Sequence, residues 1–307
     1  MSTPSLLLFG ARTPSGAALI ARVPPERLIA AGRNRPPQLP AGARFLPCDL
    51  AGPTGLGEAE PGPCWLVSFA PIWHLAPWLA EERRRGAGWL AQLQGVVACS
   101  SSSALTKRFA ANRFDRALVQ RLRSAETELQ HTCAALALPC RILAPTLIYG
   151  SAGGLSDRNL TVLVGLMRRL PLLPLPAPAG LRQPIHCSQL AAVALALVAQ
   201  AGSGATAAEP HRHQTPLLLG GDEELTYAAM LERLQASLPP GDPGRRCRLL
   251  PLPAPLVQLL AAPLLLASPK TFEAIQRISA DLAGFTPAHR LTGSAPVPFP
   301  LQLPVQP

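Results

Sequence analysis

The chain has 307 residues, 48% of them hydrophobic, enough to bury the core of one large α/β unit or of a main domain with a smaller lobe. Its 28 Lys and Arg outnumber 18 Asp and Glu for a net charge of +10, yet only Lys107 and Lys270 are lysines and the arginines are scattered. No basic helix is interleaved with aromatics, so a nucleic-acid partner is not expected; a positive field of this kind favours phosphate-bearing small molecules.

In chain order, Ser5 to Phe9 is a short apolar run that stops at Gly10, and Gly16 to Arg22 follows as a helix. Further strands are predicted at Arg27 to Ala31, Arg44 to Pro47, Trp65 to Phe69, Val96 to Cys99 and Cys140 to Leu143. Apolar strands alternating with helical stretches argue for a parallel sheet with crossover helices. Two connections, Asn34 to Ala43 and Ala51 to Pro63, are rich in Pro and Gly, so the helices expected there are short or missing. Phe114 to Leu138 reads as one amphipathic helix, its apolar stripe formed by Phe114, Leu118, Leu122, Ala125 and Leu129. Beyond Tyr149 come a Gly/Ser loop, helices from about Leu160 to Leu170 and Leu190 to Gln200, and a polar linker at Ala201 to Gln214. A last small lobe and a Pro-rich, extended tail after Thr292 complete the chain.

The turn Gly10-Ala-Arg-Thr-Pro-Ser-Gly16 lies between the first strand and first helix. There backbone N–H groups and the helix dipole can hold a diphosphate, Arg12, Thr13 and Ser15 lying in the turn with the two glycines. It keeps the outer glycines of a G-x-x-G-x-x-G turn but has Thr13 in the middle, which restricts close backbone approach; the alternative is an ordinary strand-to-helix turn. After the second strand, Gly32-Arg33-Asn34-Arg35 offers no acid for a ribose 2′-hydroxyl, whereas Arg33 can pair with a 2′-phosphate. NADP is therefore favoured over NAD. Asp49-Leu50, ending the third strand, is placed to meet the adenine edge.

Seven cysteines without a C-x-x-C pair, mostly in apolar runs, read as reduced buried thiols of a cytoplasmic protein. Gly10 and Arg12 interrupt the first apolar run, so no signal peptide is implied. Leu249 to Ser268 is apolar but broken by Pro251, Pro253, Pro255 and Pro263. It reads either as a lobe-packing helix or, behind Arg245, Arg246 and Arg248, as a segment lying on a membrane surface. His211 and His213 form an H-x-H without a partner at ligand spacing, so no metal site is expected.

Five stretches together resemble the NAD-dependent epimerase/dehydratase family of extended short-chain dehydrogenases, and specifically its atypical members. They are Gly10 to Gly16, Val96 to Ser103, Leu143-Ala-Pro-Thr-Leu-Ile-Tyr-Gly150, Gly180-Leu-Arg-Gln-Pro-Ile-His-Cys-Ser-Gln-Leu-Ala191, and Gly220-Gly-Asp-Glu-Glu-Leu-Thr-Tyr-Ala-Ala-Met230. Their order and separations match the family from about residue 5 to 286.

The resemblance implies an α/β fold with a Rossmann-type parallel sheet and a smaller C-terminal substrate lobe, with the reduced crossover helices that the Pro- and Gly-rich connections predict. Residues 1–150 would form the NAD(P)-binding domain. Residues 151–307 would complete the sheet and form the substrate lobe, with the Pro-rich tail from about 293. It adds Ala70 and Pro145 to the cofactor-binding set, Ser101 as the remaining catalytic hydroxyl, and Tyr149, Asn159, Arg182 and His186 as contacts to a substrate such as a nucleotide-sugar. Each has a plainer use as well: Ser101 as a loop cap, His186 as a core side chain, and Asp157-Arg158-Asn159 as a helix cap.

The family moves its proton with a Tyr activated by a Lys four residues later. Aligned on Glu126, those positions here are Leu118 and Leu122, which can neither transfer a proton nor bond a ribose. Gln189 and Ala144 replace an Asp and an Arg that usually hold the substrate lobe. A non-catalytic dinucleotide-binding protein is the alternative these departures leave open.

Overall fold

The computed structural model describes residues 4–52, 55–56, 61–202 and 215–301. Eight parallel strands form the central sheet: β1 Ser5–Phe9, β2 Leu28–Gly32, β3 Arg44–Pro47, β4 Cys64–Ser68, β5 Leu93–Cys99, β6 Cys140–Pro145, β7 Leu217–Gly220 and β8 Thr286–Pro287. They lie in the order β8-β7-β6-β5-β4-β1-β2-β3, so the order reverses between β1 and β4. That switch point opens a crevice at the carboxyl ends of the strands, where ligands of such sheets bind.

The central strands are continuous apolar runs because helices cover both faces. On one face, Leu6, Leu8 and Val97 pack against Leu19 of α1 (Pro14–Ile20) and Leu190 and Leu197 of the long apolar helix Cys187–Gly202. On the other, Leu7, Phe9 and Leu66 meet Leu75 and Leu79 of α2 (Ile72–Arg84), and Leu122 and Leu129 of α3 (Arg113–Ala135). No helix connects β2 to β3, and none occurs in the described part of the β3–β4 connection, as the Pro and Gly content of both predicts.

Helix α2 was not expected from the sequence, where Pro71 and Pro77 break up its reading. Pro77 sits inside the helix, which forms because Ile72, Leu75, Ala76, Trp78 and Leu79 bury one face. The stripe predicted for α3 shifts at its start: Phe114 is exposed while Val119 and the carboxylate of Asp115 are buried. Residue Asp115 accepts from Lys107 Nζ at 2.8 Å and pairs with Arg277 at 3.0 Å, so the first turn of α3 meets the lobe through charge rather than leucine.

A separate core around Tyr149, Leu160, Val164, Met167, Met230, Leu234 and Phe299 forms the C-terminal lobe. Its helices are α4 (Asn159–Arg169) and α6 (Tyr227–Ala236), while the Cys187–Gly202 helix that covers the sheet is α5. The parallel strands Leu172–Ala177 and Arg248–Pro253 form its ribbon. After the ribbon come α7 (Ala254–Ala261), α8 (Leu264–Ala267) and α9 (Pro269–Gln276). Most of the predicted polar linker, with His211 and His213, lies outside the described residues. No described helix is long and apolar enough to cross a membrane.

Gln189 ties α5 to the turn that follows β7. Its Nε2 donates to Asp222 Oδ2 at 2.7 Å, and Asp222 also accepts from the amides of His289 and Val297, each at 2.9 Å. One carboxylate thus joins α5 to the segments at His289 and Val297.

Candidate dinucleotide site

The turn after β1 is built by two glycines and a threonine. Gly10 has φ +75°, and a Cβ there would strike the Phe69–Ala70 peptide; a Cβ at Gly16 would strike the Gly10 carbonyl. Thr13 caps α1: its Oγ1 donates to Gly10 O at 2.8 Å and accepts from the Gly16 amide at 3.0 Å. Pro14 brings no N–H to the first turn. Two of the donors a diphosphate would seek there are therefore missing or already used.

Beside this turn is a cavity of about 280 Å³ at the switch point. Gly10, Arg12, Arg33, Asp49, Leu50 and Ala70 line it, joined by Asn34, Cys48 and His74. The volume lies just below the roughly 300–1,000 Å³ typical of small-molecule sites. The guanidinium-bearing residues Arg12 and Arg33 are exposed at its rim, while Asp49 Oδ1 accepts from the Ala51 amide at 3.1 Å and so is held in place. Sequence reasoning missed Gln38, whose Nε2 donates to Ala11 O at 2.8 Å and braces the turn from the β2–β3 loop. Thr13, Ser15, Gly16 and Pro145 do not line the cavity; Ser15 is buried in α1 and Pro145 O accepts from the Ser102 amide at 2.9 Å.

At the end of β5, Ser101 Oγ accepts from the Ser103 amide at 3.2 Å and is half-buried. Its neighbour Ser100 donates to Glu126, whose carboxyl burial pushes above its usual range. Leu122 is buried among Ala98, Ala125 and Ile142, and Leu118 is half-buried against the same cluster. The helix face that would carry a Tyr and Lys therefore packs against the sheet.

None of the four residues expected to meet substrate lines the cavity beside the turn. Tyr149 is buried, its ring edge-on to Phe299 with centroids 4.9 Å apart, and its hydroxyl accepts from the Leu301 amide at 3.0 Å. Next to it, His186 is buried with Nδ1 2.7 Å from Ser188 Oγ, and Nε2 faces the bare Cα of Gly150 without a polar partner. Burial, aided by the charge of Arg22, lowers its pKa from 6.5 to about 4. The buried Arg182 donates to the carbonyls of Leu181, Ala280 and Arg277 at 2.6–2.7 Å and lies over the Tyr227 ring. Asn159 Nδ2 donates to Ile148 O at 3.0 Å, and Asp157 caps α4 through the Leu160 amide at 2.8 Å.

No protein-family model matches the chain, and no curated protein does so significantly. Solved structures match over almost its whole length. UDP-glucuronic acid 4-epimerase from Bacillus cereus in complex with NAD is 11% identical, with TM-score 0.59, covering 95% of this chain and 93% of its own. Triphenylmethane reductase of Citrobacter sp., complexed with NADP(H), is 14% identical, with TM-score 0.58 and 96% of each chain covered. A nucleoside-diphosphate-sugar epimerase from Staphylococcus aureus is 12% identical, with TM-score 0.56, covering 96% of this chain and 97% of its own. At these identities the likeness establishes the fold, which the chain shares with these epimerases and this reductase.

Proposed function

We propose that the chain is an NAD(P)-binding protein of the epimerase/dehydratase kind, taking the adenosine half of its cofactor in the cavity between Gly10, Arg33 and Asp49. The observation that carries this reading is the coincidence of that cavity with the glycine-built turn at the sheet's switch point. Arg12 and Arg33 at the rim, with no carboxylate ending β2, suit a ribose 2′-phosphate and favour NADP. Asp49 is the acceptor for the adenine amine, and Ala70 the wall past which the diphosphate runs.

The cofactor, when bound, supplies hydride chemistry. Ser101 is the residue of this chain that orients a substrate oxygen at the end of β5. The substrate class is a nucleotide-sugar or a related polar small molecule, as the names of two structural neighbours suggest. A second reading, a non-catalytic protein in which nucleotide occupancy serves stability or regulation, is favoured by the packing of Leu118 and Leu122. Incubating the NADPH- and NADH-loaded protein with a panel of sugar nucleotides separates the two. Turnover that Ser101→Ala abolishes supports the enzyme, and binding without turnover supports the second reading.

A further inference from the structure

Between Asp242 and Glu273 the sequence contains no acidic residue; its only charges are Arg245, Arg246 and Arg248 at one end and Lys270 at the other. The structure exposes much of the leucine in this stretch, and exposes the cations that precede and follow it along the chain. The strand Arg248–Pro253 pairs with Leu172–Ala177 and leaves Leu172 and Leu250 exposed. The two short helices that continue from it, α7 and α8, bury Val257 and Ala261 but expose Leu256, Leu259, Leu260, Leu265 and Leu266, the last at 92%. More leucine faces outward than inward, the reverse of a helix that serves only to close a core.

We propose that this face of the lobe docks on a membrane surface containing anionic lipid, with the α7 and α8 leucines at the headgroup–acyl boundary and the four cations against lipid phosphates. The charge pattern selects this occupant. All four cations are exposed, and a second copy of the chain would bring the same unopposed cations to a two-fold interface, whereas an anionic bilayer neutralises them. With eight residues, α7 is far too short to span, so it lies in the plane of the surface.

The test is flotation of the full chain with phosphatidylcholine vesicles, with and without phosphatidylglycerol. The protein is expected to float with the anionic vesicles and to be released by high salt. The double variant Leu259→Ser/Leu266→Ser is expected to bind at least about tenfold more weakly. Because both leucines are exposed, that variant keeps its near-UV circular dichroism and its NADPH affinity, which separates this inference from the cofactor reading. Failure to float with either composition, or flotation that ignores lipid charge and the double variant, overturns it. So does a dimer in sedimentation velocity that the same two substitutions dissociate.

Discussion

The Thr13 hydroxyl accepts the Gly16 amide at 3.0 Å, so the side chain in the middle of the turn occupies the donor that a bound diphosphate would otherwise take. Helix α1 is capped without an anion, and in the proposed cofactor site the positive rim of Arg12 and Arg33 gains weight.

Replacing the cap separates these roles. Thr13→Gly restores the middle glycine and frees the Gly16 amide; NADPH affinity is expected to rise about tenfold, the worth of one more hydrogen bond to a charged group. Stability falls by only about 0.5 kcal/mol, since glycine is a tolerable N-cap. Isothermal titration and thermal denaturation of one sample check both signs.

Arg33→Ala removes a guanidinium from the cavity rim. NADPH binding is expected to weaken about tenfold or more while NADH binding changes little, because only the former carries a 2′-phosphate. Equal losses for both nucleotides would move Arg33 away from that phosphate.

Asp115→Ala leaves Lys107 and Arg277 facing each other across a buried pocket where the carboxylate stood. The expected cost is about 3 kcal/mol in urea denaturation, at the low end for a broken buried pair because both cations retain some exposure. Burial alone would raise the Asp115 pKa, but the hydrogen bonds from Lys107 and Asn112 and the charges of Lys107 and Arg277 hold it below the usual carboxylate range. Its contribution is therefore complete above the unfolded pKa of about 3.9 and is lost as pH falls through the folded value.

Acid weakens the lobe earlier, through His186. Its folded pKa near 4 lies below the unfolded 6.5, so between those values the unfolded chain binds the extra proton. Stability is expected to fall by about 1.4 kcal/mol per pH unit over that window, and His186→Gln should remove that slope. Chemical denaturation at pH 7 and pH 5 gives the comparison.

Restoring the absent relay should not restore chemistry. Leu122→Lys puts an ammonium among Ala98, Ala125 and Ile142 with no partner designed for it, at an expected cost of about 3–5 kcal/mol, and Leu118→Tyr/Leu122→Lys should show no turnover. A stable, active double variant would refute the packing account of this face.

Six of the eight strands were legible because they are short apolar runs punctuated by Gly and Pro: β1 and β3 fall at the predicted residues and β2 and β4 one residue away, whereas β7 and β8 were not predicted as strands. Helix α2 was not legible, since two prolines mask a face whose burial only the fold decides. The rim of the cavity could be read from position along the chain, whereas Gln38 could not, because its role depends on a loop folding back onto Ala11. The motif residues Tyr149, Arg182 and His186 show the limit of reading function from a pattern. Apart from His186 Nε2, which has no polar partner, their polar atoms are committed to Leu301, to the Ala280 and Arg277 carbonyls, and to Ser188, partners that lie from two to 152 residues away along the chain. Local sequence gives no sign of the distant ones.

Calorimetric titration of the purified chain with NADPH, repeated with Gly16→Ala, addresses the central claim most directly. The account predicts saturable one-to-one binding, stronger than for NADH, that is lost when the added methyl pushes α1 away from the Gly10 carbonyl. Absence of heat with either nucleotide, or binding indifferent to Gly16→Ala in a variant that remains folded, would contradict it.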